Sequence, residues 1–243
     1  AGALHPIGRK GEKPTIPLNL VGDFGGGGML MAFGISTALF ETTRSGKGQV
    51  VDAAMIDGAA LLLSSVLSAA QLGDYWKERG NNMLDGGAHF YEVYETADGR
   101  YVAVGAVEGH FYRTLLECLG LDNEALPDQN DQSSWESMKA RFTAIFKTRT
   151  RDEWCTVFEG RDACFSPVLE MKELVDHPHH KARGDFVEVG GVWQPSPAPR
   201  FSRTPSSKPT VSITAGKNSR EILDRFGFDS KKQDALLNSG IVI

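Results

Sequence analysis

Residues 21–30 read Val-Gly-Asp-Phe-Gly-Gly-Gly-Gly-Met-Leu, so that one carboxylate, Asp23, stands directly before four glycines and an apolar run. The continuation, residues 29–40 (MLMAFGISTALF), has a helical pattern. Glycine is poorly suited to starting such a helix, at up to about 1 kcal/mol per residue. Two readings of Asp23 follow. Asp is a preferred N-cap, stabilised by the free N–H groups of a first turn. A glycine-lined helix start also lets a ligand approach main-chain N–H groups, which stabilise a developing anion. The segment is not GxGxxG, and no Gly-Lys-Ser/Thr follows it, so it does not point to nucleotide phosphate.

The surrounding chain bounds the choices. Its 243 residues suffice for one large domain or two modest ones. Hydrophobic and charged fractions of 41% and 23% are those of an ordinary globular protein, and a net charge of -5 gives no nucleic-acid footprint. Three cysteines, Cys118, Cys155 and Cys164, cannot close a disulfide framework and match no zinc spacing; free thiols are expected. No segment reaches the roughly 20 unbroken apolar residues of a membrane span. The start, AGALHPIGRKGEKP, lacks the apolar core of a signal peptide, and the end, SGIVI, is not a peroxisomal tripeptide. With no targeting signal visible, the expected location is the cytoplasm in a bacterium, or the peroxisome or mitochondrion in a eukaryote. The loop-like opening without methionine leads us to expect further sequence upstream.

Along the chain, a helix over about 29–43 with apolar residues round much of its circumference is expected to be buried on more than one side. Gln49–Asp52 reads as a short strand and 53–72 as a second helix; strand and helix alternating with short turns indicate an α/β layer. From Asp74 to Gly87 the composition is that of a linker. Alternating aromatic and β-branched residues in 91–96 and 101–105, around Asp98-Gly99, predict a β-hairpin. Helices follow over 111–119, 135–146 and 151–159, a strand over 164–168 and a helix over 170–175. Residues 190–218 are rich in Pro, Ser and Thr and read as a surface return segment. Helices over 220–226 and 231–237 close the chain. The expected division is 1–73, part of a large α/β domain with a first linker helix; 74–185, a linker and small α+β domain; and 186–243, a return segment rejoining the large domain.

Three further segments carry candidate chemistry. Asn82-Met-Leu-Asp-Gly-Gly-Ala88 is either a linker turn or, through Met83 and Leu84 beside Gly86-Gly87, a mobile apolar wall against a flexible ligand. Glu108 ends an apolar strand and reads as a helix cap or a catalytic carboxylate. His177, His179 and His180 suggest a metal cluster, but no ligand spacing completes one and a surface location is expected. No metal is assigned. His5, His89 and His110 are isolated, and no Gly-x-Ser-x-Gly elbow is present.

Taken together, VGDFGGGGML, TRSGKGQVVDAAMIDG, RGNNMLDGGAHFYEVYETADGRYVAVGAVEGHFY and EGRDACFSPVLEM resemble the α-methylacyl-CoA racemases of the family III CoA-transferase superfamily. The resemblance runs along nearly the whole chain, is tightest over 17–112, and loosens after about 187. It implies a Rossmann-like large α/β domain and a small α+β domain in the family III CoA-transferase fold. It also implies an interlocked-ring homodimer, with sites where one chain's large domain meets the other's small domain. Asp23 then falls on the catalytic aspartate and Glu108 on a neighbouring catalytic glutamate. Met55, Leu84 and Tyr91 fall on acyl-cavity positions, beside which Met83, Gly86 and Gly87 are taken as substrate-binding.

The implied activity is that of an isomerase, racemising 2-methylacyl-CoA thioesters by two-base proton transfer through an enolate-like state. No separate cofactor is implied, since CoA is part of the substrate. The family's second base is a histidine in a Gly-His-Asp segment that aligns upstream of Ala1, and none of the six histidines here takes its place. The chain therefore resembles the C-terminal two-thirds of a racemase and is expected to be inactive or impaired alone. His89 and Gly109-His110 replace Pro and Pro-Gln of relatives, next to acyl-cavity positions where they would alter substrate fit. Two other readings stand beside this one. One is a CoA transferase with Asp23 as nucleophile. The other is a non-catalytic fragment acting as an assembly partner.

Overall fold

A computed structural model describes residues 1–73, 76–211 and 214–243. Asp74 and Tyr75, where the linker is expected to begin, and Ser212 and Ile213 of the return segment lie outside the described residues. The chain divides into two compact units, Ala1–Val168 and Leu169–Ile243. Among the described residues no helix is long and apolar enough to cross a membrane.

In the first unit, Leu20–Met29 winds as a π-helix and runs directly into α1, Leu30–Ser45. The wide winding accounts for the glycines. A Cβ added at Gly25, Gly26 or Gly27 would lie 2.9, 3.1 or 3.4 Å from the carbonyl oxygen five residues earlier. α2, Met55–Leu62, and α3, Ser64–Gln71, follow, so the expected helix over 53–72 is two helices that break at Leu63. α2 lies on the π-helix at a glycine-on-glycine crossing: a Cβ at Gly26 would meet Ala59 N at 2.6 Å, and one at Gly58 would meet the Gly26 carbonyl oxygen. Side chains are absent where the two backbones touch, which is why both glycines are buried.

Two expectations fail in this region. No α1 residue is buried, and Phe33, Leu39 and Phe40 stay more than 60% exposed, because among the described residues little besides the π-helix packs on α1. Gln49–Asp52 forms no ladder; Val51 instead lies against α1, its Cγ1 3.0 Å from where a Cβ at Gly34 would stand.

The rest of this unit is an antiparallel sheet with helices on one face. β1, Tyr91–Glu95, pairs with β2, Tyr101–Gly105, with Tyr91 opposite Gly105 and Glu95 opposite Tyr101. β3, Phe165–Pro167, adds to the other edge of β2. Gly99, at φ 72°, takes the left-handed turn position that Asp98-Gly99 predicts. α4, Gly109–Leu119, α5, Trp135–Phe146, and α6, Arg151–Phe158, cover the face carrying Tyr94, Val102 and Val104, with Phe90, Leu115, Phe142, Phe146 and Trp154 filling the layer. α6 starts at a capping box: Glu153 N donates to Thr150 Oγ1, and Thr150 N donates to Glu153 Oε2 at 2.8 Å. Strand alternation sends Tyr91, Val93, Ala103 and Gly105 to the opposite, open face.

In the second unit, the expected helix over 170–175 is only a 3₁₀ turn, Met171–Glu173, and the histidine-rich stretch forms α7, Pro178–Arg183, started by Pro178. β4, Phe186–Val189, and β5, Val192–Pro195, make a hairpin across Gly190-Gly191, inside the stretch read as a return segment. α8, Ser219–Arg225, and α9, Ser230–Asn238, follow.

Candidate active site

Asp23 is not an N-cap. The π-helix starts at Leu20 with Asn19 before it, so Asp23 sits within the first turn, exposed, where the unpaired N–H groups favour an anion. Among the described residues its carboxylate makes no hydrogen bond or ion pair, and so is open to a ligand. Met55, at the start of α2, reaches the same turn: its Sδ lies 3.5 Å from where a Cβ at Gly22 would stand, and its Cβ 3.8 Å from one at Gly27. The tetrad thus serves two ends, close packing at Gly26 and open access around Asp23 and Met55.

A second group of candidates meets on the open face of the sheet. A cavity of about 470 Å³ is lined by Leu84, Gly86 and Tyr91 together with Val93, Ala103 and Gly105. The Tyr91 ring lies across Gly105, where a Cβ would stand 3.7 Å from Cε2. Met83 points the other way and packs against the core. Gly87 lines a separate polar cavity of about 360 Å³ with Lys10, Lys77 and Lys139.

The Asn82–Gly87 turn is a hydrogen-bonded knot. Buried Asn82 accepts from Lys77 N at 2.6 Å and donates to Glu78 O and Asp85 Oδ2; Asp85 also accepts from Gly80 N at 2.7 Å and Asn82 N at 2.8 Å. Its backbone is therefore held, contrary to the mobile wall expected, while the Leu84 side chain stays 60% exposed.

Sequence reading missed the polar rim of this cavity. Glu92, nearly buried, pairs with Arg9, and Lys139 Nζ reaches Glu92 Oε2 at 3.2 Å while also donating to Gly86 O. These partners lie far apart in sequence and carry no local signal. The Asn82-x-x-Asp85 spacing does carry one, being that of a capping box.

Glu108 occupies the N-cap position of α4, but its side chain makes no cap hydrogen bond and is exposed. It stands near Cys164, which lines the cavity at φ 48°. Partial desolvation, then the charges of Asp162 and Glu108, push the Cys164 thiol up, which disfavours the thiolate. The three cysteines are free. No hydrogen bond joins Asp23 to Glu108; the two carboxylates belong to different groups of residues within this chain.

The histidines divide by environment. His180 Nδ1 bonds Asp185 at 2.9 Å on α7, and among the described residues no group of three His, Cys, Asp or Glu is arranged to hold a metal. His89 is a core residue rather than a cavity wall, enclosed edge-on by Phe90, Tyr112 and Phe142, with Nε2 2.8 Å from Tyr112 Oη. Burial, helped by the Lys139 charge, brings its pKa from 6.5 down to about 4. The sign follows: the unfolded chain takes up this proton first, so the stability is intact above pH 6.5 and is lost as pH falls toward 4, by about 3 kcal/mol in all. The urea midpoint is expected to fall across that window. Replacing both partners (His89→Phe with Tyr112→Phe) removes this part of the slope; an unchanged slope would assign it to carboxylates instead.

The family described as CoA-transferase family III matches residues 1–215. The chain is 46% identical to "Alpha-methylacyl-CoA racemase" of Mus musculus over 96% of its length and 61% of the relative's. It is 47% identical to the protein of the same name from Homo sapiens over 100% of its length and 64% of the relative's. Its structure superposes on a CAIB/BAIF family protein from Brucella suis with a TM-score of 0.71 at 20% identity, covering 94% of this chain and 60% of that one. The chain thus spans about three fifths of the length of the curated relatives it matches.

Proposed function

The chain belongs to CoA-transferase family III and has its fold, mixed in helix and sheet, and from that premise we propose that it carries one half of a two-base site that racemises 2-methylacyl-CoA thioesters. The observation that carries the reading is Asp23, an exposed carboxylate without partners among the described residues, in a chain 46–47% identical to α-methylacyl-CoA racemases over nearly its whole length. The proton on C2 of a 2-methylacyl thioester is acidic because its loss gives an enolate. A carboxylate on one face removes it, and a second acid on the other face returns it with inversion. Main-chain N–H groups near the helix start are suited to the thioester oxygen as charge develops there. Met55, Leu84, Gly86 and Tyr91 form the apolar surroundings of the acyl group, and Glu108, at the N-cap position of α4, is the second carboxylate that the family resemblance assigns to the site.

Within this reading the second base comes from polypeptide beyond these 243 residues. His89 is enclosed in the core, and among the described residues no histidine is hydrogen-bonded or ion-paired to Asp23. The exposed apolar side chains of α1 favour the same view, since they suit a face covered by further polypeptide in an interlocked dimer.

Proton exchange at C2 in deuterium oxide, followed by NMR on a resolved 2-methylacyl-CoA, tests the reading. The chain alone is expected to exchange slowly. Co-expression with the part of a racemase relative that it does not span is expected to restore exchange and loss of optical activity together. Full-rate racemisation by the chain alone sinks the missing-base half of the reading. An acyl or CoA adduct trapped on Asp23 by hydroxylamine favours a transferase instead.

A further inference from the structure

Two cavities in the Ala1–Val168 unit share three lining residues. The first is the 470 Å³ space on the open sheet face; the second, about 590 Å³, is walled by Ile7, Val21, Ala59, Leu62 and Val66. Arg9, Leu84 and Asp85 line both. Arg9 is tied to Glu92, and Asp85 is spent on Gly80 and Asn82, so neither side chain moves without breaking polar bonds. Leu84 has no such bond. Its backbone is held by the Asn82–Asp85 knot while its side chain is mostly exposed. A rigidly mounted, polar-bond-free side chain standing between two cavities is suited to limiting what passes.

We propose that Leu84 partitions the two cavities and sets the length of acyl tail admitted, the second cavity taking the distal part of a long tail. The inference rests on the acyl-thioester reading above and deepens it. The second cavity's walls are apolar apart from Arg9, Thr15 and Asp85, so they accept hydrocarbon and offer little to a polar head. In such a pocket one methylene changes selectivity by about 10-fold or more. The size of residue 84 therefore controls the ratio of long-tail to short-tail affinity.

The test measures dissociation constants of 2-methylbutanoyl-CoA and 2-methylhexadecanoyl-CoA for the 243-residue chain and for Leu84→Ala and Leu84→Trp, with melting curves to verify folding. Leu84→Ala is expected to shift the affinity ratio about 10-fold toward the long ester, and Leu84→Trp to shift it about 10-fold or more toward the short one. Opposite shifts in the two variants separate the partition from a general loss of structure. An unchanged ratio in both overturns the partition and leaves the acyl-thioester reading standing. If neither ester binds the unsubstituted chain, alone or co-expressed with the part of a relative that it does not span, that reading falls, and the partition with it.

Discussion

Asp23→Asn is expected to lower C2 proton exchange of a 2-methylacyl-CoA by about 10²–10⁴-fold, the range typical of a lost general acid or base. The measurement applies to whichever protein supports exchange, the chain itself or the chain co-expressed with the part of a relative that it does not span. Asn keeps the shape of Asp but cannot take the proton. Because the Asp23 carboxylate is exposed and bonds no described residue, its loss leaves no buried group unpaired. The urea midpoint is therefore expected to hold while exchange collapses. Equal losses of stability and exchange would make Asp23 a structural residue of the π-helix and refute its role as base.

Gly58→Ala is expected to have the largest effect on stability, about 3 kcal/mol or more, with loss of the urea transition's cooperativity. The new methyl would enter the space of the Gly26 carbonyl oxygen, backbone against backbone, with no side chain to yield. Overpacking a well-fitted site costs typically 1–3 kcal/mol, and about the top of that range or beyond applies where only a helix can move. Gly28→Ala is the control: its added Cβ would find nothing nearer than Asp23 O at 3.6 Å, an ordinary contact. Its expected change is within about 1 kcal/mol of zero, the propensity gain of Ala offsetting any crowding. Similar midpoints for the two variants would refute the glycine crossing as the reason for Gly58.

The hairpin and its covering helices were legible because their patterns are local. Alternation over 91–105 names the buried face, and Trp135–Phe146 ends where its apolar period does. The π winding was not legible, because four glycines carry no period and read as a helix breaker. The β4–β5 hairpin was hidden by its Pro/Ser/Thr-rich surroundings, although Gly190-Gly191 between short apolar runs was a usable signal. At the site, the local sequence pointed to Asp23 and to Leu84 beside Gly86-Gly87 as unusual, whereas Tyr91 came from family resemblance alone; the cavity that Leu84, Gly86 and Tyr91 share depends on a long-range fold. The Arg9–Glu92–Lys139 cluster joins residues from three distant segments and was beyond local reading.

The winding of the helix that carries Asp23 also makes the number of its glycines significant, apart from their chemistry. Met55 touches the positions of both Gly22 and Gly27, five residues apart. In an α-helix, with 3.6 residues per turn, such a pair would be rotated apart by roughly 140° and could not share one methionine. Removing a single glycine from the tetrad changes no side-chain character at all, yet it turns everything downstream about the axis relative to Asp23. Within this segment length acts as an angular setting, and a one-residue deletion there is a rotation of the site.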